Sequence, residues 1–148
     1  MVDHLSKQDR SRQMSRIGSK NTSLELTVRK YLWRAGFRYR LHDKALPGKP
    51  DIVLKSRKAI IFVNGCYWHG HHCSRGSSPQ TNVMFWSDKI FLNRERDRRN
   101  ISLLQLSGWG VFTIWECQLR SKARAAKALQ DLALQLSELE DSRSTKLS

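Results

Sequence analysis

The sequence has no long apolar run, few cysteines and few acidic residues. Each of these shortages excludes a class of protein or of partner. No apolar run reaches the roughly 18 residues that a membrane-spanning helix needs, and the N-terminus lacks the apolar core of a secretory signal. We therefore expect a cytoplasmic protein with no membrane partner. Three cysteines cannot all pair within one chain, which favours thiolate metal ligation or plain burial over disulfides.

The shortage of acidic residues leaves a strongly basic chain. Only 13 Asp and Glu oppose 27 Lys and Arg, so the formal net charge is +14. The first forty residues alone hold ten basic side chains against three acidic ones, and the excess is therefore localised. A localised positive field attracts a polyanion, and we expect nucleic acid as the partner. The alternative is a basic protein whose charge serves only solubility.

Periodicity predicts one domain at residues 21–140, between a basic N-terminal arm at residues 1–20 and a disordered tail at residues 141–148. The arm is either a short helix that contacts DNA or a disordered tail. Helical spacing predicts helices from Thr22 to Gly36, from Asn82 to Leu106 and from Ser121 to Leu139. Apolar or alternating runs predict strands at residues 37–41, 51–55, 58–64 and 111–115.

The stretch NGCYWHGHHC, from Asn64 to Cys73, is the most unusual part of the chain. It holds two of the three cysteines and three of the five histidines. Structural zinc takes four thiolate or imidazole ligands, and the candidates here are Cys66, Cys73, Cys117 and one of His69, His71 and His72. Spacing does not decide which histidine binds. The alternative is a set of buried free cysteines with exposed histidines.

A hairpin that turns at Ser56-Arg57 would bring one carboxylate to the start of this stretch. Counting back from that turn sets Asp51 opposite Phe62, beside Val63. Mg²⁺ takes one or two carboxylates together with phosphate and water, so Asp51 suits a catalytic metal. The alternative is an aspartate that merely follows Lys-Pro in a turn.

Two further residue types suit hydrolysis of a phosphodiester. Glu25 follows Thr22 in the pattern of a helix capping box, and it can also serve as a second acid near the metal. A histidine has an ordinary pKa of about 6.5, which suits a base that activates water. His69 and His72 are the candidates for that base.

Large apolar side chains stand in otherwise polar segments at Met14, Tyr67, Trp68 and Trp86. Such groups can wedge between base pairs and kink a duplex. Burial in the core is the alternative for Met14 and Trp86.

Taken together, the motifs KPD, GCYWHGHHC, ERDRR and WEC resemble those of the very-short-patch-repair (Vsr) DNA mismatch endonucleases, in order and spacing, over about residues 8–120. The resemblance implies a restriction-endonuclease-like α/β fold, with a central mixed β-sheet flanked by helices and a structural zinc site. It also implies a monomer that nicks duplex DNA 5′ of the thymine in a T:G mismatch, with repair proteins as further partners.

The resemblance assigns roles to individual positions. Asp51 would bind the catalytic Mg²⁺ with the main-chain carbonyl of Val63, His69 would be the base, and Glu25 the acid that supports the water on the metal. The zinc ligands would be Cys66, His71, Cys73 and Cys117. The DNA contacts would be Tyr67, Trp68 and Trp86 as an aromatic wedge, Met14 from the minor-groove side, and Lys89 and Asn93 at the mismatched pair.

One position departs from the family pattern and suggests an alternative function. Asn64 stands where the family usually has histidine, and an amide can donate a hydrogen bond to phosphate but cannot shuttle a proton. A zinc-stabilised mismatch-binding protein with weak or lost cleavage is therefore a second hypothesis. A restriction-type endonuclease that cuts matched DNA is a third.

Overall fold

The structure is a computed structural model that describes residues 22–66, 71 and 83–141, without the side chains of Val83, Met84 and Trp86. Three helices and four strands follow one another in the order α1 (Ser23–Arg34), β1 (Arg40–Leu41), β2 (Ile52–Leu54), β3 (Ala59–Asn64), α2 (Val83–Leu106), β4 (Gly110–Trp115) and α3 (Lys122–Ser137). Short 3₁₀ helices follow β2 at Lys55–Arg57 and β4 at Glu116–Leu119.

The strands form one mixed sheet in the order β1-β2-β3-β4. The first three strands are antiparallel neighbours, whereas β4 runs parallel to β3. A parallel neighbour needs a long crossover, and α2 supplies it between β3 and β4. The two parallel strands therefore end at the same edge of the sheet.

Side chains alternate between the two faces of the sheet, and each face has its own core. Ile52 and Leu54 of β2 pack with residues of α1 and α3, among them Leu32 and Leu136. Val53, between them in sequence, packs on the opposite face in a cluster that includes Leu104 of α2. Because both faces are covered, β2 is buried along its whole length.

The predicted hairpin register is correct, although its turn differs from the prediction. Leu54 pairs with Ala59 and Ile52 with Ile61, so the count that places Asp51 opposite Phe62 holds. The connection is a 3₁₀ turn that ends at Lys58 with a φ of 53°. Ser-Arg does not favour the two-residue turns that need positive φ, and the longer turn reaches the same register.

The predicted strand at residues 37–41 is wrong over its first three residues. Only Arg40 and Leu41 pair with β2. Gly36, with a φ of 96°, ends α1, and the Phe37 N–H closes the cap by donating to the Leu32 carbonyl at 3.0 Å. The Phe37 amide is thus part of the helix end and is not available to a strand.

The last helix is anchored to the hairpin by one arginine. Arg57 donates from Nη1 to the carbonyl oxygens of Leu136 and Leu139, each at 3.1 Å. Leu136 lies in the last turn of α3 and Leu139 two residues beyond its end, where backbone acceptors have fewer partners than in the middle of a helix. None of the helices in the described part of the chain has the length and hydrophobicity that a bilayer crossing demands.

Candidate nuclease and metal sites

Asp51 lies at the start of β2, and its carboxylate reaches across to the neighbouring strand. The Val63 N–H donates to Asp51 Oδ2 at 2.8 Å. The antiparallel register brings these two residues together, since Asp51 lies opposite Phe62. The side chain is half-buried, and the hydrogen bond from the backbone of β3 fixes one of its oxygens.

Two further side chains complete an acidic cluster at this point. The ligand atoms of Glu25, His42 and Asp51 all lie within 4.8 Å of one another. Glu25 belongs to the first turn of α1, where its own N–H donates to the Thr22 hydroxyl at 3.2 Å. The predicted capping interaction of Thr22 is therefore present, while the Glu25 carboxylate faces the cluster.

The Glu25 carboxylate is almost fully buried and is held from two sides. Arg29 donates to Oε2 at 3.0 Å, and Nε2 of His42 lies 2.7 Å from Oε1. His42 carries no signal in the sequence, because a lone histidine in a loop has no ligand spacing around it. The link between His42 and the cluster exists only when α1 packs on the sheet, because Glu25 of that helix then lies next to the His42 ring.

The pKa of Asp51 is raised from its ordinary 3.8 to about 6, mainly by burial and in part by the nearby carboxylate of Glu25. The Val63 N–H and the His42 ring oppose this rise. Two carboxylates that share a poorly hydrated site repel each other, and a divalent cation between them would relieve that repulsion. The arrangement is therefore suited to a divalent metal.

A second candidate metal site lies where the two parallel strands end. Asn64 pairs with Trp115 at the ends of β3 and β4, and Cys66 and Cys117 each follow two residues later. The parallel pairing thus brings together two cysteines that are distant in sequence. The Cys117 N–H donates to Cys66 Sγ at 3.4 Å.

His71 is the third member of this second site. Its backbone N–H donates to the Cys66 carbonyl at 2.9 Å, and its Nδ1 lies 3.6 Å from Cys117 Sγ. The ring stacks on Trp115 with 4.1 Å between centroids and an interplanar angle of 10°. The ligand atoms of Cys66, His71 and Cys117 lie within 4.8 Å of one another, a spacing at which a single metal ion can contact all three.

A glutamate that, like His42, has no signal in the sequence connects this site to the chain after β4. Glu116 Oε1 accepts from the Cys66 N–H at 3.3 Å. Glu116 begins the 3₁₀ helix that follows β4, and the strand predicted at residues 111–115 ends at Trp115 as expected. The turn lets Cys117 approach Cys66 with both its amide and its sulfur.

The remaining predicted site residues divide into those that the structure describes and those that it does not. Asn64 is half-buried at the end of β3, between the two clusters in sequence. Lys89 is exposed on α2, and Asn93, one helical turn further, accepts from Arg96 at 3.1 Å. Outside the described residues lie Met14, Tyr67, Trp68, His69, Cys73 and the side chain of Trp86.

Comparison with known proteins gives a consistent set of relatives. The sequence profile of the family described as "DNA mismatch endonuclease Vsr" matches residues 2–75. "Type II nicking enzyme V.NmeAIP" of Neisseria meningitidis serogroup A is 43% identical over 136 residues, which is 92% of this chain and 97% of that protein. "DNA mismatch endonuclease Vsr" of Escherichia coli K12 is 42% identical over 124 residues, covering 84% of this chain and 80% of that protein.

Among solved structures, the "Homing Endonuclease I-Bth0305I Catalytic Domain" is similar, with a TM-score of 0.51 and 24% sequence identity. The match covers 78% of this chain and 98% of that domain. At this identity the likeness concerns the fold alone. It confirms the predicted restriction-endonuclease-like α/β fold.

Proposed function

The chain belongs to the Vsr family of DNA mismatch endonucleases, and from that premise we propose that it nicks one strand of duplex DNA 5′ of the thymine in a T:G mismatch. The names of the relatives support action at a mismatch and a nick in the DNA, since they include a mismatch endonuclease and nicking enzymes. A nicking enzyme cuts one strand, which argues against a restriction enzyme that cuts both strands of matched DNA.

The observation that carries the proposal is the contact between Asp51 and Val63 beside the buried carboxylate of Glu25. A protein of net charge +14 attracts the DNA backbone, yet it holds two carboxylates close together at the end of its sheet. Such a pair within a basic protein suits a metal-assisted nuclease site.

The donor set in this cluster suits Mg²⁺. We propose that Asp51 and the main-chain carbonyl of Val63 bind the ion. An extended residue directs its N–H and its C=O to the same side of the strand. Because the Val63 N–H faces Asp51, the Val63 carbonyl would face the same side. A Mg²⁺ ion bound there would neutralise charge on the scissile phosphate and make water more acidic. The Val63 N–H would keep one Asp51 oxygen fixed and leave the other for the ion.

Protein groups would handle the proton and the phosphate. We assign His69 the role of base that accepts a proton from the attacking water, and Glu25 the role of acid that orients this water. Asn64, at the end of the same strand as Val63, would donate a hydrogen bond from its amide to a phosphate oxygen. Because this amide is neutral, it would position the phosphate without adding positive charge.

We propose that zinc occupies the second site with Cys66, His71, Cys73 and Cys117 as ligands. The packing of three of these residues within 4.8 Å supports this proposal, and thiolate with imidazole is the donor set of structural zinc. The ion would tie the chain after β3 to the end of β4. Residues 67–70 would thereby be held next to the nuclease site.

The mismatch itself would be recognised by wedging and by contacts from α2. We propose that Tyr67, Trp68 and Trp86 enter the base stack and that Met14 enters from the minor-groove side. Lys89 and Asn93 are spaced four residues apart and so share one face of α2, which suits contact with the mismatched pair.

The test is a strand-resolved nicking assay on end-labelled duplexes that differ only in a T:G or T:A pair, with and without Mg²⁺. Nicking of the thymine strand alone, dependent on Mg²⁺ and abolished in Asp51→Ala, is the expected result. Cleavage of both strands of the T:A duplex would instead identify a restriction-type enzyme. Tight T:G binding with no nick would identify a mismatch-binding protein that has lost catalysis at Asn64.

A further inference from the structure

His42 has an unusual backbone conformation at the edge of the acidic cluster. Its φ of 51° lies in the left-handed region, which is uncommon for residues other than glycine, although asparagine, aspartate and histidine adopt it more often than most. Its N–H donates to the Asp51 carbonyl at 3.1 Å, directly after β1 ends. Strained residues of this kind cluster at functional sites, where the surrounding structure holds them in place.

The conformation directs the ring toward Glu25. His42 Nε2 lies 2.7 Å from Glu25 Oε1, and the two side chains are 16% and 3% exposed. Arg29 contacts the other oxygen of Glu25 at 3.0 Å, and a guanidinium can only donate. A carboxylate that faces a guanidinium accepts hydrogen bonds, so we assign the ring proton of His42 to Nε2, whose N–H donates a hydrogen bond to Oε1.

The two donors decide where the Glu25 carboxylate lies relative to Asp51. When both carboxylates are ionised they repel each other, and without anchors Glu25 would rotate away from Asp51 to reduce that repulsion. Arg29 is on the same helix as Glu25 and moves with it, whereas His42 is attached to the sheet next to Asp51. Of these two donors, His42 is therefore the one whose position is fixed relative to Asp51.

We propose that His42 is a positioning residue of the nuclease site, whose Nε2–H holds the Glu25 carboxylate beside Asp51 and thereby sets the affinity for the divalent ion. The inference rests on the function proposed above and extends it to a residue with no assigned role. Partners that orient the groups around a metal typically contribute about 10- to 100-fold to metal affinity or activity. A loss of that size is expected when the hydrogen bond is removed.

Gln and Asn form a matched pair of replacements that separates the hydrogen bond from the backbone. His42→Gln keeps an N–H donor at a similar reach, whereas His42→Asn has the same amide one methylene shorter and cannot reach Oε1. Asn tolerates positive φ better than Gln does. A purely structural role for the backbone therefore predicts that Asn is the better replacement, and the positioning role predicts the opposite order.

The measurement is the dissociation constant for Mn²⁺, followed by electron paramagnetic resonance of the free ion, in the full-length protein without DNA. We expect His42→Asn to weaken binding about 10-fold or more and His42→Gln to stay within about 3-fold of the wild type. Equal affinities in both variants, or weaker binding in Gln than in Asn, would overturn the proposal. Denaturant unfolding of each variant identifies any loss that reflects folding.

A double substitution tests whether His42 acts through Glu25. In a Glu25→Gln background, adding His42→Asn should change Mn²⁺ affinity by less than about 2-fold, because the carboxylate that it positions is gone. Fully additive losses would contradict the proposal. The nicking assay of the wild type, run in parallel, keeps the two inferences separate. A wild type that does not nick T:G duplexes would refute the proposed function. The Mn²⁺ affinities of the variants test only the role of His42.

Discussion

Replacing Asp51 by asparagine should stabilise the metal-free protein, although it removes the carboxylate that we propose binds the catalytic ion. Burial raises the pKa of Asp51 from 3.8 to about 6. A carboxyl group with a raised pKa in the native state holds its proton more tightly there than in the unfolded chain. The native state therefore loses stability as pH rises from about 4 to about 6, and the loss stays constant above that interval.

The expected size follows from the pKa. A difference of about two units corresponds to about 3 kcal/mol, at about 1.4 kcal/mol per unit. Since the side chain retains some contact with water, we expect about 1 to 3 kcal/mol above pH 7 and about half of that at pH 5. The neutral amide in Asp51→Asn would avoid this loss, and its oxygen can still accept from the Val63 N–H.

The assay is denaturant unfolding at pH 5 and pH 8 without added Mg²⁺, followed by tryptophan fluorescence. Asp51→Asn should exceed the wild type in free energy of unfolding at both pH values, and by more at pH 8. Asp131→Asn, an exposed position on α3, is the control and should change stability by less than about 0.5 kcal/mol at either pH. Added Mg²⁺ should then stabilise the wild type and leave Asp51→Asn unchanged.

Two results would refute this reasoning. If Asp51→Asn is less stable than the wild type at pH 8, the contacts of the carboxylate stabilise the native state by more than its burial destabilises it. If the stability difference is the same at pH 5 and pH 8, Asp51 does not titrate in that interval, and burial does not raise its pKa.

Three further predictions test other parts of the molecule. Asn64→His should keep or raise the nicking rate in the strand-resolved assay, because a histidine donates the same hydrogen bond and can also carry charge; complete loss of nicking would contradict the role given to Asn64. Metal analysis of the purified wild type should find about one zinc per chain. The Cys117→Ser variant should contain less zinc and unfold at a lower temperature. A wild type without zinc would refute the Cys3His site. Arg57→Met should lower the free energy of unfolding by about 1 to 3 kcal/mol, because the carbonyls of Leu136 and Leu139 each lose a donor and the ion pair with Asp141 is removed. An unchanged unfolding curve would show that water replaces these contacts.

Local features of the fold were predictable from the sequence because neighbouring residues determine them. Thr22 caps α1 through its hydroxyl, and Gly36 ends the helix in the left-handed region. The hairpin register was predictable because the strands flank a short turn. The strand predicted at residues 37–41 failed for a reason that is also local: Phe37 completes the helix cap, and its alternation with Tyr39 and Leu41 resembled a strand pattern.

Site residues were predictable only where their chemistry is concentrated in a short stretch. The cysteines and histidines between Asn64 and Cys73 are dense enough to suggest a metal, and Cys117 is the third cysteine available to complete a four-ligand set. His42 and Glu116 could not be predicted in this way. Each is a single polar residue in a turn, and what it contacts depends on how distant elements pack.

The sequence by itself determined the basic charge, the helix limits, the hairpin register and the density of metal-binding side chains around Cys66. These features depend on composition or on residues close along the chain. Only the tertiary structure decided that β4 lies parallel to β3, which sets Cys117 beside Cys66 across 51 positions of sequence. The packing of α1 on the sheet likewise decided that Glu25 meets His42 and Asp51. Contacts of this kind arise from the burial of apolar faces shared by remote segments, and the sequence near each residue does not encode them.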